Sequence, residues 1–344
     1  MPTEDPPLLL SGGVFVLAAA IIALLGTRLS DRADRFADRT GLGEAVVGAV
    51  MLGAMTSLPG IVACVTLALD GRAAFAVSAA TGGIAVQTAF LAIADAVYQR
   101  ANLEHAAASV PNMLFGALLV GLLSLLLLGI NVPDVAIGHI HPASLALPIA
   151  YIGGMHWVHQ AHQRPMWHPR ITHVTERDVP DEAARHEPLG PLALDMLLTG
   201  LGVAAAGWAV AWSGEAVADA TGLNDSLIGG TLVAISTSLP ELVTTVAAVR
   251  QGALTLAVSG ILGGNAFDTL FVAVADVAYR PGPIFADISQ REPQLIAASA
   301  VMSSILLLGL MRRERSGPAN VGVETLLIAA VYALVLLLLA RGGG

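Results

Sequence analysis

The sequence predicts an all-α polytopic membrane protein with about ten transmembrane helices in two inverted five-helix repeats. Three observations support this fold class: the hydropathy of the chain, the distribution of its arginines and an internal duplication. Of the 344 residues 55% are hydrophobic and only 12% are charged, and the mean hydropathy is +0.73. A soluble domain of this length would need far more charged surface, so water is not the main solvent.

Several segments of about 20 residues carry almost no charge, which is the length that one helix needs to cross a hydrocarbon core of roughly 30 Å. The clearest are residues 8–27, 111–130 and 324–340. Backbone groups cannot stay unpaired in lipid and these segments are too long for barrel strands, so helices are predicted. We place ten spans at about residues 8–27, 44–69, 73–98, 111–130, 143–158, 190–213, 224–249, 253–279, 293–311 and 322–340.

The basic residues are divided unequally between the two sides of the predicted bundle. All 17 are arginines, and alternate loops place 13 of them on one side, leaving Arg72, Arg280, Arg291 and Arg341 on the other. The positive-inside rule makes the arginine-rich side cytoplasmic and both termini external, in a cell (inner) membrane. Residues 28–39 alternate arginine with aspartate and predict a solvated loop beside the lipid head groups.

Residues 41–98 align with residues 222–279 without a gap, at a constant offset of 181. Of the 58 aligned positions 22 are identical, including a Thr-Ser-Leu-Pro sequence, a Gly-Gly pair and an aspartate near the end of each copy. Polar residues, proline and glycine in register indicate a duplication. Since span two and span seven run in opposite directions, the copies are inverted, an arrangement in which transporters place an ion site near the midplane.

The duplication divides the chain into a first half (1–158), a cytoplasmic His-rich linker (159–189) and a second half (190–344). The linker could sense metal or pH, or it could be a solvated connection, which its prolines favour.

Each copy carries a proline inside a predicted span, Pro59 and Pro240. A proline lacks the N–H that the carbonyl four residues earlier would bind, so polar backbone is freed within the membrane. Asp95 and Asp276 occupy matching places near the ends of spans three and eight. They could form the mouth of an ion pathway or anchor the helix ends.

Two further carboxylates lie deep in the second half. Glu241 follows Pro240 in span seven, and Asp268 lies midway along span eight, one turn after Asn265. A charge at such depth costs about 2.5–3.5 kcal/mol on insertion scales and usually marks an ion or proton pathway. Oxygen ligands suit hard cations such as Ca²⁺ and Na⁺. The alternative is a polar cluster that only holds helices together.

The sequences TSLPE (residues 237–241) and GNAFD (residues 264–268) resemble the second α-repeat of the calcium/cation antiporter superfamily, the membrane region of sodium/calcium exchangers. The resemblance implies a ten-helix fold, alternating access and a site formed by spans two, three, seven and eight. It implies that Glu241 and Asp268 are the principal cation ligands. Further ligands of the second half would be Ser236, Thr237, Ser238, Ser259 and Asn265.

The first repeat is degenerate. Gly60 stands where the family has a glutamate, Ile84 where it has an asparagine, and Gln87 at a later asparagine or aspartate position. Two carboxylates balance one Ca²⁺, two Na⁺ or two protons, so we expect exchange closer to electroneutral than the family's usual 3:1 exchange. The neutral oxygen donors that remain in the first repeat are Thr56, Ser57, Ser78, Gln87 and Thr88.

The function predicted from these residues is secondary active antiport of Ca²⁺ or Na⁺. Exchange of Na⁺ for H⁺ or of other monovalent cations is one alternative, and a non-transporting membrane protein with a vestigial ion site is another. The expected partners are the lipid bilayer and inorganic cations, with no cofactor and no nucleic acid. The chain is not expected to be an enzyme, since no Ser/His/Asp grouping and no His-Glu-x-x-His motif occurs in it.

Overall fold

The computed structural model describes residues 8–42, 44–170, 172, 175, 187–219, 231, 233–315, 317 and 321–341. Parts of two predicted segments lie outside the described residues: 171, 173–174 and 176–186 of the linker, and 222–230 and 232 of the second α-repeat. The helices are α1 (Leu8–Thr40), α2 (Glu44–Val46), a π-helical segment (Val47–Leu52), α3 (Gly53–Thr56), α4 (Leu58–Leu69), α5 (Ala73–Tyr98), α6 (Leu103–Ala106), α7 (Val110–Ile130), α8 (Pro142–Gln163), α9 (Leu189–Asp219), α10 (Ala234–Thr237), α11 (Leu239–Gln251), α12 (Leu254–Ala278), α13 (Arg291–Arg312) and α14 (Val323–Arg341).

The all-α polytopic class is confirmed. Seven of the described helices are long and apolar enough to cross a membrane, or eight if the bent pair at residues 47–69 is one span. Helix α8 and the α10–α11 pair also coincide with predicted spans but are not among these. Within the described part of the chain the only β structure is an isolated bridge between Ile137 and Ile140. The number of ten spans and their inversion remain predictions.

Helix α1 is longer than the sequence predicts, and the expected loop at residues 28–39 was wrong. Leu29, Ala33 and Phe36 recur at helical spacing on one buried face, which continues the helix beyond the apolar segment. The arginines are compensated by acids of α9 and the residues before it, not by solvent alone. The ion pairs are Arg28–Asp195, Arg32–Asp195 and Arg35–Glu187, each with a shortest N–O distance of 2.6 Å.

The two prolines lie just after breaks in their helices. The chain bends by 50° between residues 47–56 and 58–69, and the break is at Ser57, whose N–H donates to the carbonyl of Gly53 at 3.0 Å. Helices α10 and α11 are separated at Ser238, the equivalent position in the second copy. Each break therefore places backbone and side-chain oxygens inside the protein.

The ends of the two copies are held by identical contacts. Asp95 accepts the backbone N–H groups of Leu103 and Gly322 at 2.7 and 2.8 Å, and it is fully buried. Asp276 is also fully buried, and its two oxygens accept the equivalent N–H groups, those of Ile284 and His141, at 2.7 Å each. These contacts support the anchoring alternative for both aspartates, because all four carboxylate oxygens bind backbone.

Helices α5 and α12 are the most buried of the membrane-length helices and pack against each other in the main core. Helices α1 and α9 form a layer with a small cluster of buried residues of its own, and both helices also contribute residues to the main core. Gly207 of α9 lies against both Pro59 and Pro240, so this layer contacts the two helix breaks directly. The members of the cluster are Ala18, Ile22, Ala206 and Val210.

Candidate cation site

A small internal cavity of about 10 Å³ lies where the two helix breaks meet α5 and α12. This volume is close to the minimum that admits one water-sized particle. Its polar lining consists of Ser57, Gln87, Thr237, Ser238, Glu241 and Asp268. The rest of its lining is small or apolar: Gly60, Ala63, Cys64, Ala79, Ala80, Gly83 and Phe271.

Glu241 lies in the first turn of α11, directly after the break at Ser238 and Pro240. The N-terminus of a helix carries a partial positive charge, which favours a carboxylate there. The Ser57 hydroxyl, from the first copy, donates to Oε1 of Glu241 at 3.2 Å. Oε2 is buried and has no hydrogen-bond donor among the described residues. One oxygen of this carboxylate is thus open to a further ligand.

Asp268 of α12 contacts Gln87 of α5, and the two residues are separated by the repeat offset of 181. The Gln87 side-chain amide donates to Oδ2 of Asp268 at 2.9 Å and to the Ser238 hydroxyl at 3.2 Å. Oδ1 of Asp268 and Oε1 of Gln87 are both buried without a donor in the described part of the chain. Equivalent positions of the two copies therefore meet at the cavity.

Asn265 contacts its own equivalent, Ile84, across the same interface. Its side-chain amide donates to the Thr88 hydroxyl at 2.9 Å and to the Ile84 carbonyl at 3.3 Å. Its Oδ1 is a fourth buried oxygen without a described donor, although Asn265 does not line the cavity. Buried polar atoms are normally paired, so such a group of oxygens needs an explanation, and a bound cation supplies one.

Four of the other predicted ligands do not direct a hydroxyl into the cavity: either the hydroxyl donates to a backbone carbonyl or the residue does not line the cavity. Thr237 lines the cavity but, like its equivalent Thr56, donates its hydroxyl to carbonyls of the preceding turn. Ser259 donates to the Leu256 carbonyl at 3.2 Å, and Ser236 is buried; neither lines the cavity.

Ser78 is directed to a carboxylate that the sequence reading did not single out. Its hydroxyl donates to Oε1 of Glu292 at 2.6 Å, and Ser78 does not line the cavity. Glu292 is fully buried, and its other oxygen accepts the N–H and hydroxyl of Ser289 at 2.7 Å each. The Ser289-x-x-Glu292 spacing is typical of a capping box at a helix start, a signal that could have identified it.

Position 60, which lacks the acid of the second copy, faces an aromatic ring. A Cβ atom placed on Gly60 would lie 2.8 Å from the ring of Phe271, so this ring fills the space that a longer side chain would need. Both carboxylates of the cavity belong to the second copy, and none of its described lining residues is basic.

In the described part of the chain, the cavity is not lined by the group of acids, cysteines and histidines that typically binds a transition metal. No group of three or more His, Cys, Asp or Glu that could hold a metal ion occurs among the described residues. The cavity instead combines two carboxylates with hydroxyl and amide oxygens, a set that suits Na⁺ or Ca²⁺.

The family model described as sodium/calcium exchanger protein matches residues 10–153 and 192–341 of this chain. Among curated proteins, sodium/calcium exchanger MaX1 of Methanosarcina acetivorans is 36% identical over 94 residues, covering 27% of this chain and 25% of that protein. Sodium/potassium/calcium exchanger 1 of Mus musculus is 32% identical over 101 residues, covering 29% and 8%. The chain thus matches about a third or less of the length of these curated relatives.

A solved structure of the sodium-calcium exchanger NCX_Mj, soaked with Na⁺, has the same fold. The TM-score is 0.69 at 17% sequence identity, and the match covers 96% of this chain and 99% of that chain.

Proposed function

This chain belongs to the sodium/calcium exchanger protein family, and from this premise we propose that it is a secondary active cation antiporter. It moves Ca²⁺ or Na⁺ across the membrane by alternating access. One observation carries the proposal: Glu241 and Asp268, both buried, face one cavity and each keeps a carboxylate oxygen without a described donor. A desolvated cation satisfies these oxygens and offsets the cost of burying two negative charges.

We propose that Glu241 and Asp268 hold the ion and that Ser57, Gln87 and Ser238 add neutral oxygens. Oε1 of Gln87 suits this role because the amide nitrogen is already engaged by Asp268 and Ser238. The neighbouring candidates Thr56, Thr237, Ser236, Ser259 and Asn265 support the site by satisfying nearby backbone or by positioning these ligands. Ser78 is not a ligand in this proposal, because its hydroxyl donates to Glu292 and it does not line the cavity.

Two carboxylates set the charge that the site can bind. They neutralise one Ca²⁺, two Na⁺ or two protons, and a third monovalent ion would leave an uncompensated charge in a medium of low dielectric constant. We therefore propose an electroneutral exchange, one Ca²⁺ against two Na⁺ or two protons. The same count allows exchange of Na⁺ for H⁺, which is the second candidate function.

We propose that the ion enters from the side of the turn that joins α4 and α5. Ala63, Cys64 and Ala79 of these two helices line the cavity together with the two carboxylates. That turn lies on the arginine-poor side, which the positive-inside rule makes external. Because Gly207 places the α1–α9 layer against both breaks, movement of this layer past the site helices would open the opposite side.

In this proposal the protein is a multi-pass protein of a cell (inner) membrane with external termini. Its two inverted halves, residues 1–158 and 190–344, are joined by the His-rich segment 159–189 on the cytoplasmic side. The equivalent contacts at a constant offset, such as those of Asp95 and Asp276, support the division into two halves.

The test is ⁴⁵Ca²⁺ uptake into proteoliposomes, driven by an outward Na⁺ gradient. The wild-type protein accumulates Ca²⁺, and Glu241→Gln lowers the initial rate by roughly 100-fold or more, since one charge of the site is lost. Glu292→Gln is the matched control, because this carboxylate is equally buried but both its oxygens are bound by Ser78 and Ser289. It retains uptake.

The other outcomes separate the alternatives. Uptake of ²²Na⁺ against a proton gradient, without Ca²⁺ transport, would identify monovalent exchange. A folded wild-type protein that moves neither Ca²⁺ nor Na⁺ under any gradient would exclude antiport and leave a vestigial site.

A further inference from the structure

Two neighbouring surface cavities form a continuous groove on the arginine-rich side of the bundle. The larger, about 510 Å³, lies between α1, α5 and α11, and its walls are mainly apolar, with Ile93, Val97 and Val246 among them. The smaller, about 290 Å³, shares Val97, Arg250 and Gln251 with the first. We call the two together the α1–α5–α11 groove.

The two ends of the groove differ in chemistry. The larger cavity opens on the lipid-facing surface, where Ile93 is 46% exposed. The smaller cavity carries Arg100 and Arg250, both exposed, and no acidic residue is among the described residues that line either cavity. An apolar channel that leads to two arginines matches an acyl chain attached to an anionic head group.

We infer that the α1–α5–α11 groove binds an anionic phospholipid. An acyl chain lies along Ile93, Val97 and Val246, and the phosphate lies between Arg100 and Arg250. Guanidinium groups bind phosphate oxygens through paired N–H donors, so two of them at one end favour a head group with a net negative charge over a zwitterionic one, whose own cation offsets the phosphate charge. A free phosphate ion would use the arginines but would leave the apolar part of the groove empty.

The two arginines of the groove are not repeated at the equivalent positions of the duplicated segment. At the repeat offset of 181, Arg100 corresponds to Pro281 and Arg250 to Leu69, so neither arginine is repeated at its equivalent position, although Arg280 and Arg72 lie beside that place. Arg100 and Arg250 both lie on the arginine-rich side, so the groove meets the leaflet on that side. Since this is the proposed cytoplasmic side, the lipid comes from the leaflet in which anionic lipids create a negative surface potential.

The head-group test is a titration of the detergent-purified protein with phosphatidylglycerol and with phosphatidylcholine of the same acyl chains, read by native mass spectrometry. The wild-type protein binds phosphatidylglycerol more tightly. Arg100→Gln and Arg250→Gln each weaken this binding about fivefold, because each removes one contact between a guanidinium group and the phosphate. The two losses multiply, so the double variant binds roughly 30-fold more weakly. Arg315→Gln, an exposed arginine on the same side but outside the groove, is the matched control and leaves the affinity unchanged.

The acyl-chain test uses Ile93→Trp, which fills the larger cavity from its exposed edge. It weakens phosphatidylglycerol binding while both arginines stay in place, and inorganic phosphate at equal concentration does not displace the lipid. Undiminished affinity in the double arginine variant, an equal loss in Arg315→Gln, or no effect of Ile93→Trp would each overturn the inference. Lipid binding is measured without transport, so this result is independent of the proposed antiport.

Discussion

The two copies of the duplicated segment, residues 41–98 and 222–279, keep the same backbone features and differ in charge. Both break before a proline, and both turn at a glycine with positive φ, Gly71 at +78° and Gly252 at +88°, a conformation that favours glycine. Both end in a buried aspartate that binds two equivalent backbone N–H groups.

The carboxylates of the site occur in only one copy. Glu241 and Asp268 correspond to Gly60 and Gln87 in the first copy. The features that the copies share hold the fold, and we propose that the ion chemistry depends on those that differ. Because equivalent positions meet at one cavity, one copy can supply all the charge while the other supplies neutral oxygens.

The largest expected effect comes from removing a charge from the second copy. Asp268→Asn leaves one carboxylate and lowers Ca²⁺ affinity roughly 100-fold or more, because a buried divalent ion loses its partner charge. Gln87→Ala, at the equivalent position of the first copy, lowers it about tenfold, the size of a lost hydrogen bond to a charged group. Isothermal titration calorimetry in detergent measures both. Equal losses would contradict the unequal division of roles.

An acid added to the first copy makes the two copies more alike in charge. Gly60→Glu combined with Phe271→Ala places a third carboxylate at the cavity and removes the ring that fills its space. Three negative charges call for an additional cation, so exchange becomes electrogenic and is accelerated by an imposed membrane potential. Phe271→Ala alone stays electroneutral and is the control.

The single variant Gly60→Glu tests whether the Phe271 ring occupies the space that a glutamate at position 60 would need. With the Phe271 ring in place it lowers the yield of folded protein. A double variant that folds, transports and remains insensitive to potential would show that carboxylate number does not set the exchanged charge.

A smaller effect is expected where the copies are alike. Asp95→Asn and Asp276→Asn each replace a charged acceptor of two backbone N–H groups, at a cost of about 1.5–3 kcal/mol of stability. The two variants should lower the melting temperature in detergent by similar amounts and leave Ca²⁺ affinity nearly unchanged. A tenfold loss of affinity in either variant would instead assign that aspartate to the ion pathway.

The smallest expected effect comes from Glu104, a buried acid outside the predicted spans that has no acidic equivalent in the second copy. Glu104 of α6 corresponds to Phe285, and burial, then the charge of Asp95, raises the pKa of Glu104 to about 7. The folded state keeps this proton to a higher pH than the unfolded state does, so stability falls as pH rises from about 4.5 toward 7 and is constant above. Glu324 also faces Glu104 and adds to its pKa shift.

Glu104→Gln removes this slope and stabilises the protein at pH 8 by about 1–3 kcal/mol, with little change at pH 4.5. Thermal melts of both proteins across this pH range measure the difference. Parallel curves for wild type and variant would show that Glu104 does not titrate in this window.

Sequence patterns predicted most helix positions and the disturbed backbone at both prolines, because apolar length and proline are local signals. They also identified Glu241 and Asp268, since a carboxylate in an apolar segment stands out without structural knowledge. The duplication further implied that equivalent residues lie near one interface, as Gln87 and Asp268 do.

Other features depend on contacts between distant residues and left no local signal. The helical continuation of α1 required acids near the start of α9 to pair with its arginines. The diversion of Ser78 required Glu292, 214 residues away, and the filling of the Gly60 space required the Phe271 ring. Only such contacts between distant residues show that Ser238 lines the cavity and that Ser259 does not.

The central claim is that one copy supplies the whole charge of the site, and the charge moved per Ca²⁺ tests it most directly. Initial rates of Na⁺-driven ⁴⁵Ca²⁺ uptake are measured in proteoliposomes clamped with K⁺ and valinomycin at 0 mV and at about 100 mV of either sign. One net charge per cycle would be worth about 2.3 kcal/mol per 100 mV. Uptake rates that do not change with potential are predicted. Rates that rise and fall with its sign, as expected for three Na⁺ per Ca²⁺, would contradict the account.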